Sequence, residues 1–275
     1  MKLTLLGGGG FRVPLMFRTL LADQSDRRVT ELRLWDTDAG RLAVIRSILQ
    51  AMTQGHPKAP KVEVSQNLDE AVAGTDFVFS AIRVGGTEGR ATEETIAHCC
   101  EVLGQETTGF GGLNYALRGI PTAIRIAETI ARLAPRAHLI NFTNPAGIIT
   151  EVSSRILGDR VIGICDSPVG LARRVLETLE GAELVTAGTA SLVIAGDDRV
   201  RLDYAGLNHL GWLQRLLVDG DDVLPLLLER PGLIESFEEG RLFGAQWLQQ
   251  LGSVPNEYLH YYYFARETRK ADEAV

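Results

Sequence analysis

The sequence is poor in the features that mark several large classes of protein. No apolar stretch approaches the roughly 20 residues of a membrane span. The opening "KLTLLG" reads at once as a strand, with no hydrophobic signal region before it. Both absences lead us to expect a cytoplasmic protein with no membrane partner. Cysteines number only three, two of them adjacent (Cys99 and Cys100), which is no disulfide framework. In a reducing compartment an isolated cysteine is core filler, a nucleophile or a metal ligand. Basic runs are missing as well. The 28 Lys and Arg against 35 Asp and Glu leave a net charge of −7, which argues against nucleic acid or an anionic membrane as partner. There is no internal repeat and no low-complexity linker.

What is present is a long alternation of β-branched runs and helical patterns within 275 residues, 45% of them hydrophobic, enough to bury a full core. Strands are predicted at 2–6, 31–35, 61–65, 76–82, 137–141 and 160–164, and helices at 11–22, 38–53, 68–73, 112–133, 145–157 and 168–180. That order predicts an α/β fold, a Rossmann-like doubly wound parallel sheet over residues 1–182. Ligands of such sheets bind outside the strands' carboxyl ends. The texture then changes. "LVTAGTASLVIAGDDRVRLDYAGLNHLGW" predicts two or three antiparallel strands with "GDD" as a turn, and 210–270 predict mostly helix. We expect a smaller α+β substrate and oligomerisation domain over 183–275, without a complete core of its own. The final "FARETRKADEAV" is still charged and helix-like and stops without a closing element, as an unfinished domain would.

In "LTLLGGGGFRVPLMFRTL" four glycines, Gly7 to Gly10, stand between a strand and an amphipathic helix. Gly7 and Gly9 supply a tight turn and close backbone approach, and the helix N-terminus behind them supplies amide donors for a pyrophosphate. The usual third glycine is replaced by Arg12. Asp36 ends the next strand in "LRLWDTD", farther on than the usual spacing of about 20 residues but suited to ribose hydroxyls, which favours NAD over NADP. A plain glycine turn with a helix-capping aspartate is the competing view. Further glycine-rich segments, "SAIRVGGTEGRATEE" and "LGQETTGFGGLNYALR", read as polar loops carrying Arg83, Glu88, Arg90, Glu106 and Arg118. "NFTNPAG" offers Asn141 and Asn144 to a polar ligand. Glycines this dense cost chain entropy unless backbone approaches something closely. Such loops after successive strands predict one shared pocket.

"GICDSPVG" places Cys165 and Asp166 at a strand's carboxyl end, just before a Ser-Pro helix entry. His209 in "GLNHLGW" differs from the other histidines in its glycine, asparagine and tryptophan neighbours. A thiolate and an imidazole with open positions describe a catalytic metal site, and a Cys–His nucleophile pair is the alternative. "VPNEYLHYYYF" puts Tyr258, Tyr261, Tyr262 and Tyr263 on a predicted helix. They form either an aromatic packing face or, if a positive charge lowers a phenol's pKa from about 10, a source of a general base.

Taken in order, "LGQETTGFGG", "LINFTNPAGIITE", "VIGICDSPVG", "GLNHLGW" and "PNEYLHYYYF" resemble the signature blocks of family-4 glycoside hydrolases, with the likeness running from residue 2 to about 264. Among these the chain looks most like the 6-phospho-β-glucosidases. The family is an NAD-dependent exception to the two-carboxylate mechanism. The resemblance implies that NAD+ oxidises the sugar's 3-hydroxyl, a tyrosine removes the acidified proton on carbon 2, and the leaving group departs from carbon 1. Water then adds, and NADH reduces the ketone back. A divalent metal, Mn2+ or another, would bridge the 2- and 3-oxygens.

Carried over by motif, Cys165 and His209 would be the metal ligands and Tyr258 the base, with Tyr261 next if the register differs. Arg83, Glu106 and Asn144 would hold the sugar, Gly7, Gly9, Gly10 and Asp36 would bind NAD, and Asp166 would stand near the leaving-group oxygen. The expected substrate is a phosphorylated disaccharide or aryl glucoside, and the expected assembly a homodimer or homotetramer. The chain departs from the pattern twice. An aspartate after the metal cysteine suits a general acid in α-specific members, whereas β-specific members often carry asparagine. Members also continue for well over a hundred residues beyond the tyrosine block. Two rival readings keep the glycine loop: a 2-hydroxy-acid dehydrogenase, which relies on an Asp–His pair and needs no cysteine, and a non-catalytic NAD-binding relative.

Overall fold

Successive residues of a strand point to opposite faces, so the neighbours Leu5 and Leu6 of β1 (Lys2–Leu6) are buried in two different cores. The computed structural model, which describes residues 1–207 and 209–272, repeats that split in β2 (Glu31–Trp35), where Leu34 joins one core and Trp35 the other. Strands that are apolar on both faces need helices on both sides. In chain order the first unit is β1, α1 (Val13–Ala22), β2, α2 (Ala39–Met52), β3 (Lys61–Ser65), α3 (Leu68–Val72), β4 (Phe77–Ser80), α4 (Gly86–Cys99), α5 (Gly109–Leu133), β5 (His138–Asn141), α6 (Ala146–Leu157) and β6 (Val161–Gly163). Phe17, Leu21, Leu42, Ile45 and Leu49 of α1 and α2 cover one face, and Ile126, Ile130 and Leu157 of α5 and α6 cover the other.

The six strands run parallel in the order β3-β2-β1-β4-β5-β6. This is the doubly wound arrangement predicted, with its switch point between β1 and β4, where ligands of such folds bind. One helix was not foreseen. Glu88 and Arg90, read as loop residues, lie on α4, and Arg118 lies on α5. Two glycines of "SAIRVGGTEGRATEE", Gly85 and Gly89, make room for Arg118. A methyl group on Gly85 or Gly89 would collide with its guanidinium, which pairs with Glu93 at 3.0 Å.

By its packing the chain divides into two compact units, Met1–Ile164 and the segment from Cys165 onward. The second unit contains α7 (Ser167–Gly181), α8 (Thr189–Ala195), β7 (Val200–Leu207), β8 (Leu210–Val218), β9 (Asp221–Asp222), α9 (Leu224–Leu228), α10 (Pro231–Ile234), α11 (Glu238–Phe243), α12 (Ala245–Leu251), β10 (Val254–Pro255), α13 (Leu259–Tyr263) and α14 (Ala265–Asp272). Helix α7 groups here, although the change in sequence texture lies after it, because Leu171, Val175, Leu176 and Leu179 pack in one cluster with Leu213, Leu216, Leu227 and Leu248.

The contiguous apolar core of this unit draws on α7, a helix that the sequence assigned to the first domain. One expectation for the unit is corrected. "TASLVIA" is the helix α8 rather than a strand, and "GDD" is the turn from α8 into β7. The antiparallel hairpin is β7–β8, extended by β10 and β9. Residues 273–275 of the terminal run and Asn208 of the "GLNHLGW" block lie outside the described residues.

Candidate active site

In the first unit the glycine loop follows β1 at the switch point. Gly7 has φ +90°, and a methyl group there would collide with the Ala81 carbonyl beyond β4, so both the turn and the approach require glycine. The loop is tied to the end of β2. The Gly7 and Gly8 amides donate to Trp35 O at 2.9 and 2.8 Å, and the Gly10 amide donates to Gly7 O at 2.9 Å. Asp36 belongs to the same construction: its Oδ2 accepts from the Gly9 amide at 2.9 Å and its Oδ1 from the Asp38 amide at 3.1 Å. The four glycines, Asp36 and the N-terminal end of α1 are therefore brought together.

Farther along the same sheet, Arg83 and Glu106 form a short ion pair, and Arg90 reaches the same carboxylate at 3.5 Å. The guanidinium of Arg83 lies 5.5 Å from the Tyr115 ring centre. Asn144 is half-buried at the cis Asn144–Pro145 peptide. Asn141, expected to face a ligand, is instead fully engaged in shaping this loop. Its amide nitrogen bonds Thr143 O, Ala146 O and Thr150 Oγ1, and its oxygen accepts from the Thr143 amide.

The second unit assembles the chemically distinctive group. The Cys165 Sγ lies 2.9 Å from Nε2 of His209, 44 residues away, and 3.9 Å from Asp166 Oδ1. His209 is only 4% exposed, and its ring centre lies 4.1 Å from that of Tyr258 at an angle of 31°. Tyr261 packs edge-on against Tyr258 at 5.7 Å.

Local sequence explains each placement. Asp166 occupies the N-cap position of α7, and the proline after Ser167 has the φ of a first helical turn. His209 lies at the hairpin tip between β7 and β8, where Gly206 has φ +136° and no room for a side chain against Leu210 O. Gly211 lies directly under the Tyr204 ring, so that a methyl there would come within 2.7 Å of the Tyr204 Cζ. Tyr258 stands at the N-cap of α13; its amide donates to Asn256 Oδ1 at 3.1 Å, and the Asn256 amide donates to Gly211 O at 2.9 Å, which ties the tyrosine turn to the histidine hairpin.

Electrostatics decide what the Cys–His pair can do. Burial pushes the Cys165 thiol above its usual range, against the pull of hydrogen bonds from the Ser167 amide and hydroxyl. Burial also pushes His209 below its usual range, with Asp166 acting the other way. Both shifts favour a neutral thiol beside a neutral imidazole, the opposite of the thiolate–imidazolium pair that a cysteine nucleophile needs. A bound cation would reverse that preference, since thiolate and neutral imidazole are metal-ligating forms. Among the described residues no cluster of three or more His, Cys, Asp and Glu is placed to hold a metal. The donor set is thus two soft-to-intermediate protein ligands, which fits a divalent ion that takes its remaining ligands from substrate or solvent.

Sequence reasoning missed the polar shell behind this pair: Ser167, Arg174, Tyr204, Glu239 and Glu257. The only signal was a carboxylate, Glu257, inside an otherwise apolar and aromatic block. Burial raises the Glu257 carboxyl and, still more, the Tyr204 phenol.

A family model described as family 4 glycosyl hydrolase matches residues 2–181, and that of the family 4 glycosyl hydrolase C-terminal domain matches residues 204–275. The chain is 30% identical to the 6-phospho-beta-glucosidase BglT of Thermotoga maritima, over 98% of this chain and 61% of that protein. It is 31% identical to a 6-phospho-alpha-glucosidase of Leptotrichia buccalis, over 96% of this chain and 60% of that protein. A solved structure of the Thermotoga maritima 6-phospho-beta glucosidase with manganese, NAD+ and glucose-6-phosphate superimposes with a TM-score of 0.85 at 27% identity, covering 100% of this chain and 63% of that one. The chain therefore spans about three-fifths of the length of the relatives it matches.

Proposed function

The chain belongs to glycosyl hydrolase family 4, and from that premise we propose that it takes part in hydrolysing 6-phospho-β-glucosides by oxidation, elimination, addition and reduction, with NAD and a divalent metal. The observation that carries this reading is the contact of Cys165, His209 and Tyr258, a thiol and an imidazole at 2.9 Å with a phenol ring tilted against the imidazole. When bound, NAD would take and return the hydride of carbon 3, and the metal would stabilise charge on the 2- and 3-oxygens.

The remaining chemistry falls to the chain's own residues. Cys165 and His209 hold the metal as thiolate and neutral imidazole. Tyr258 would take the proton from carbon 2, with the positive charge of a bound metal favouring its phenolate form. Asp166, exposed beside the thiol, gives a proton to the departing oxygen. Arg83, Glu106 and Asn144 bind and orient the phosphorylated sugar. Asp36 accepts from the ribose hydroxyls, the packing of Gly7, Gly9 and Gly10 shapes the loop, and the start of α1 offers amides to the pyrophosphate. A cytoplasmic location and assembly as a homodimer or homotetramer belong to the same proposal. The exposed Phe110, Leu113 and Leu117 along α5 support assembly.

The test is release of nitrophenol from the α- and β-nitrophenyl glucoside 6-phosphates with NAD+, Mn2+ and a reductant, each then omitted in turn. Cleavage of the β substrate that needs NAD+ and metal, without net NADH, is the expected result. Net reduction of NAD+ would instead indicate a dehydrogenase. Asp166 favours one second reading, the 6-phospho-α-glucosidase, and preference for the α substrate would select it.

A further inference from the structure

Ser167 Oγ donates to Glu257 Oε1 at 2.7 Å, across 90 residues of sequence. Ser167 stands two residues after Cys165, and Glu257 immediately precedes Tyr258. A single hydrogen bond thus joins the turn that carries the thiol to the turn that carries the phenol. Glu257 is also supported from behind. Arg174 Nη2 lies 3.5 Å from its Oε2, while the same guanidinium forks onto the fully buried Glu239, through Nε at 3.1 Å and through a short contact from Nη2. Oε2 of Glu257 is buried without a hydrogen bond of its own.

One buried and one half-buried carboxylate around one guanidinium are a poor source of net stability, because desolvation opposes the Coulomb gain. Their defensible use is to fix geometry. The geometry at stake is the side-chain direction of Cys165, which is only half-buried and is held by its contact with His209 and by Ser167 itself.

We propose that Ser167 and Glu257 are a positioning pair, which holds the Cys165 turn against the Tyr258 turn so that the cysteine sulfur keeps one orientation for a divalent metal. The proposal rests on the reading of Cys165 and His209 as the metal ligands. Neither member of the pair touches metal or substrate; both act through the residues beside them. Removing a partner that orients a metal ligand commonly weakens metal binding about 10- to 100-fold.

The test uses the whole chain and Co2+, with thiolate-to-cobalt absorption as the readout, so that no turnover is needed. Ser167→Ala and Glu257→Ala should each weaken Co2+ binding about tenfold or more. The double variant should be no worse than the weaker single, because both remove the same bond. Ser167→Thr, which keeps the hydroxyl, should restore most of the affinity, and NAD affinity should stay unchanged throughout. A merely structural role would lower the melting temperature without separating Thr from Ala in the cobalt titration, and that outcome overturns the proposal. If Ser167→Ala binds Co2+ like the parent while Cys165→Ser loses the absorption band, the positioning pair fails and the metal reading stands. If the parent itself shows no thiolate band with Co2+, both fall.

Discussion

Replacing Gly9 by alanine tests the cofactor loop at its narrowest point. The new methyl would lie 2.9 Å from Asp36 Oδ2, 3.2 Å from its Cγ and 2.7 Å from the Cβ of Arg41. Comfortable carbon contacts begin near about 3.5 Å, so the carboxylate must withdraw by roughly half an ångström, and the fixed Cβ of Arg41 on α2 blocks escape in the other direction. Gly9 is not among the glycines with positive φ, so backbone strain adds nothing. The carboxylate that would receive the ribose is also the one bonded to the Gly9 amide. Losing a hydrogen bond to a charged group costs about 1.5–3 kcal/mol, which is about 10- to 150-fold in NAD affinity. Titration of the full chain with NAD+, followed by calorimetry, reads this directly. In an Asp36→Ala background the further loss from Gly9→Ala should shrink, because the clash with the carboxylate and the contact vanish together and only the clash with Arg41 Cβ remains. A folded Gly9→Ala variant that binds NAD+ within about twofold of the parent, or full additivity of the two changes, would refute the placement of the ribose at Asp36.

Cys165→Ser should abolish metal-dependent turnover while leaving NAD affinity nearly intact, and an unchanged rate would remove the cysteine from the metal site. Glu239→Ala removes the bidentate partner of the half-buried Arg174, which keeps only looser contacts to Glu257 and Glu238, so denaturant unfolding should show a loss of about 1.5–3 kcal/mol; a loss below about 1 kcal/mol would mean that water already screens the pair. Burial, opposed by Asp166 and Glu267 respectively, holds His209 and His260 below the ordinary imidazole value of 6.5. The unfolded chain then binds more protons than the native one below that pH. Stability should be full above about pH 6.5 and fall as pH decreases until the lowered native values are passed. Because burial raises Glu257 and Glu93 and so acts the other way, melting temperatures between pH 7.5 and 5.5 are compared with those of a His260→Gln variant, and a variant that loses more on acidification than the parent would contradict the sign.

The sheet was legible because short runs rich in Leu, Val, Ile and Phe alternate with longer helical patterns, and all six strands were foreseen near their observed places. Asp36 and the glycines were legible for a related reason: a short loop between two regular elements leaves its chain little freedom, so local sequence nearly dictates its shape. Helix α4 was hidden by the glycines in "GGTEGR", two of which, Gly85 and Gly89, leave room for Arg118, a residue far along the chain. Helix α8 was hidden because "SLVIA" satisfies strand and helix patterns equally; its burial against α7 decides for helix. Asn141 looked like a ligand contact because side-chain amides serve backbone and ligand with the same chemistry.

By itself, then, the sequence determined the α/β architecture, the glycine-rich loop with its strand-end acid, and the residue types available for chemistry. Each of these is set by local periodicity and turn stereochemistry. Only the tertiary structure decided that Cys165, His209 and Tyr258 meet and that Ser167 reaches Glu257 behind them. Those contacts join positions 44 to 90 residues apart, and they depend on how α7, the β7–β8 hairpin and the turn before α13 pack on one apolar core. No local pattern records such a distance, because the free energy that closes it comes from apolar burial elsewhere in the unit.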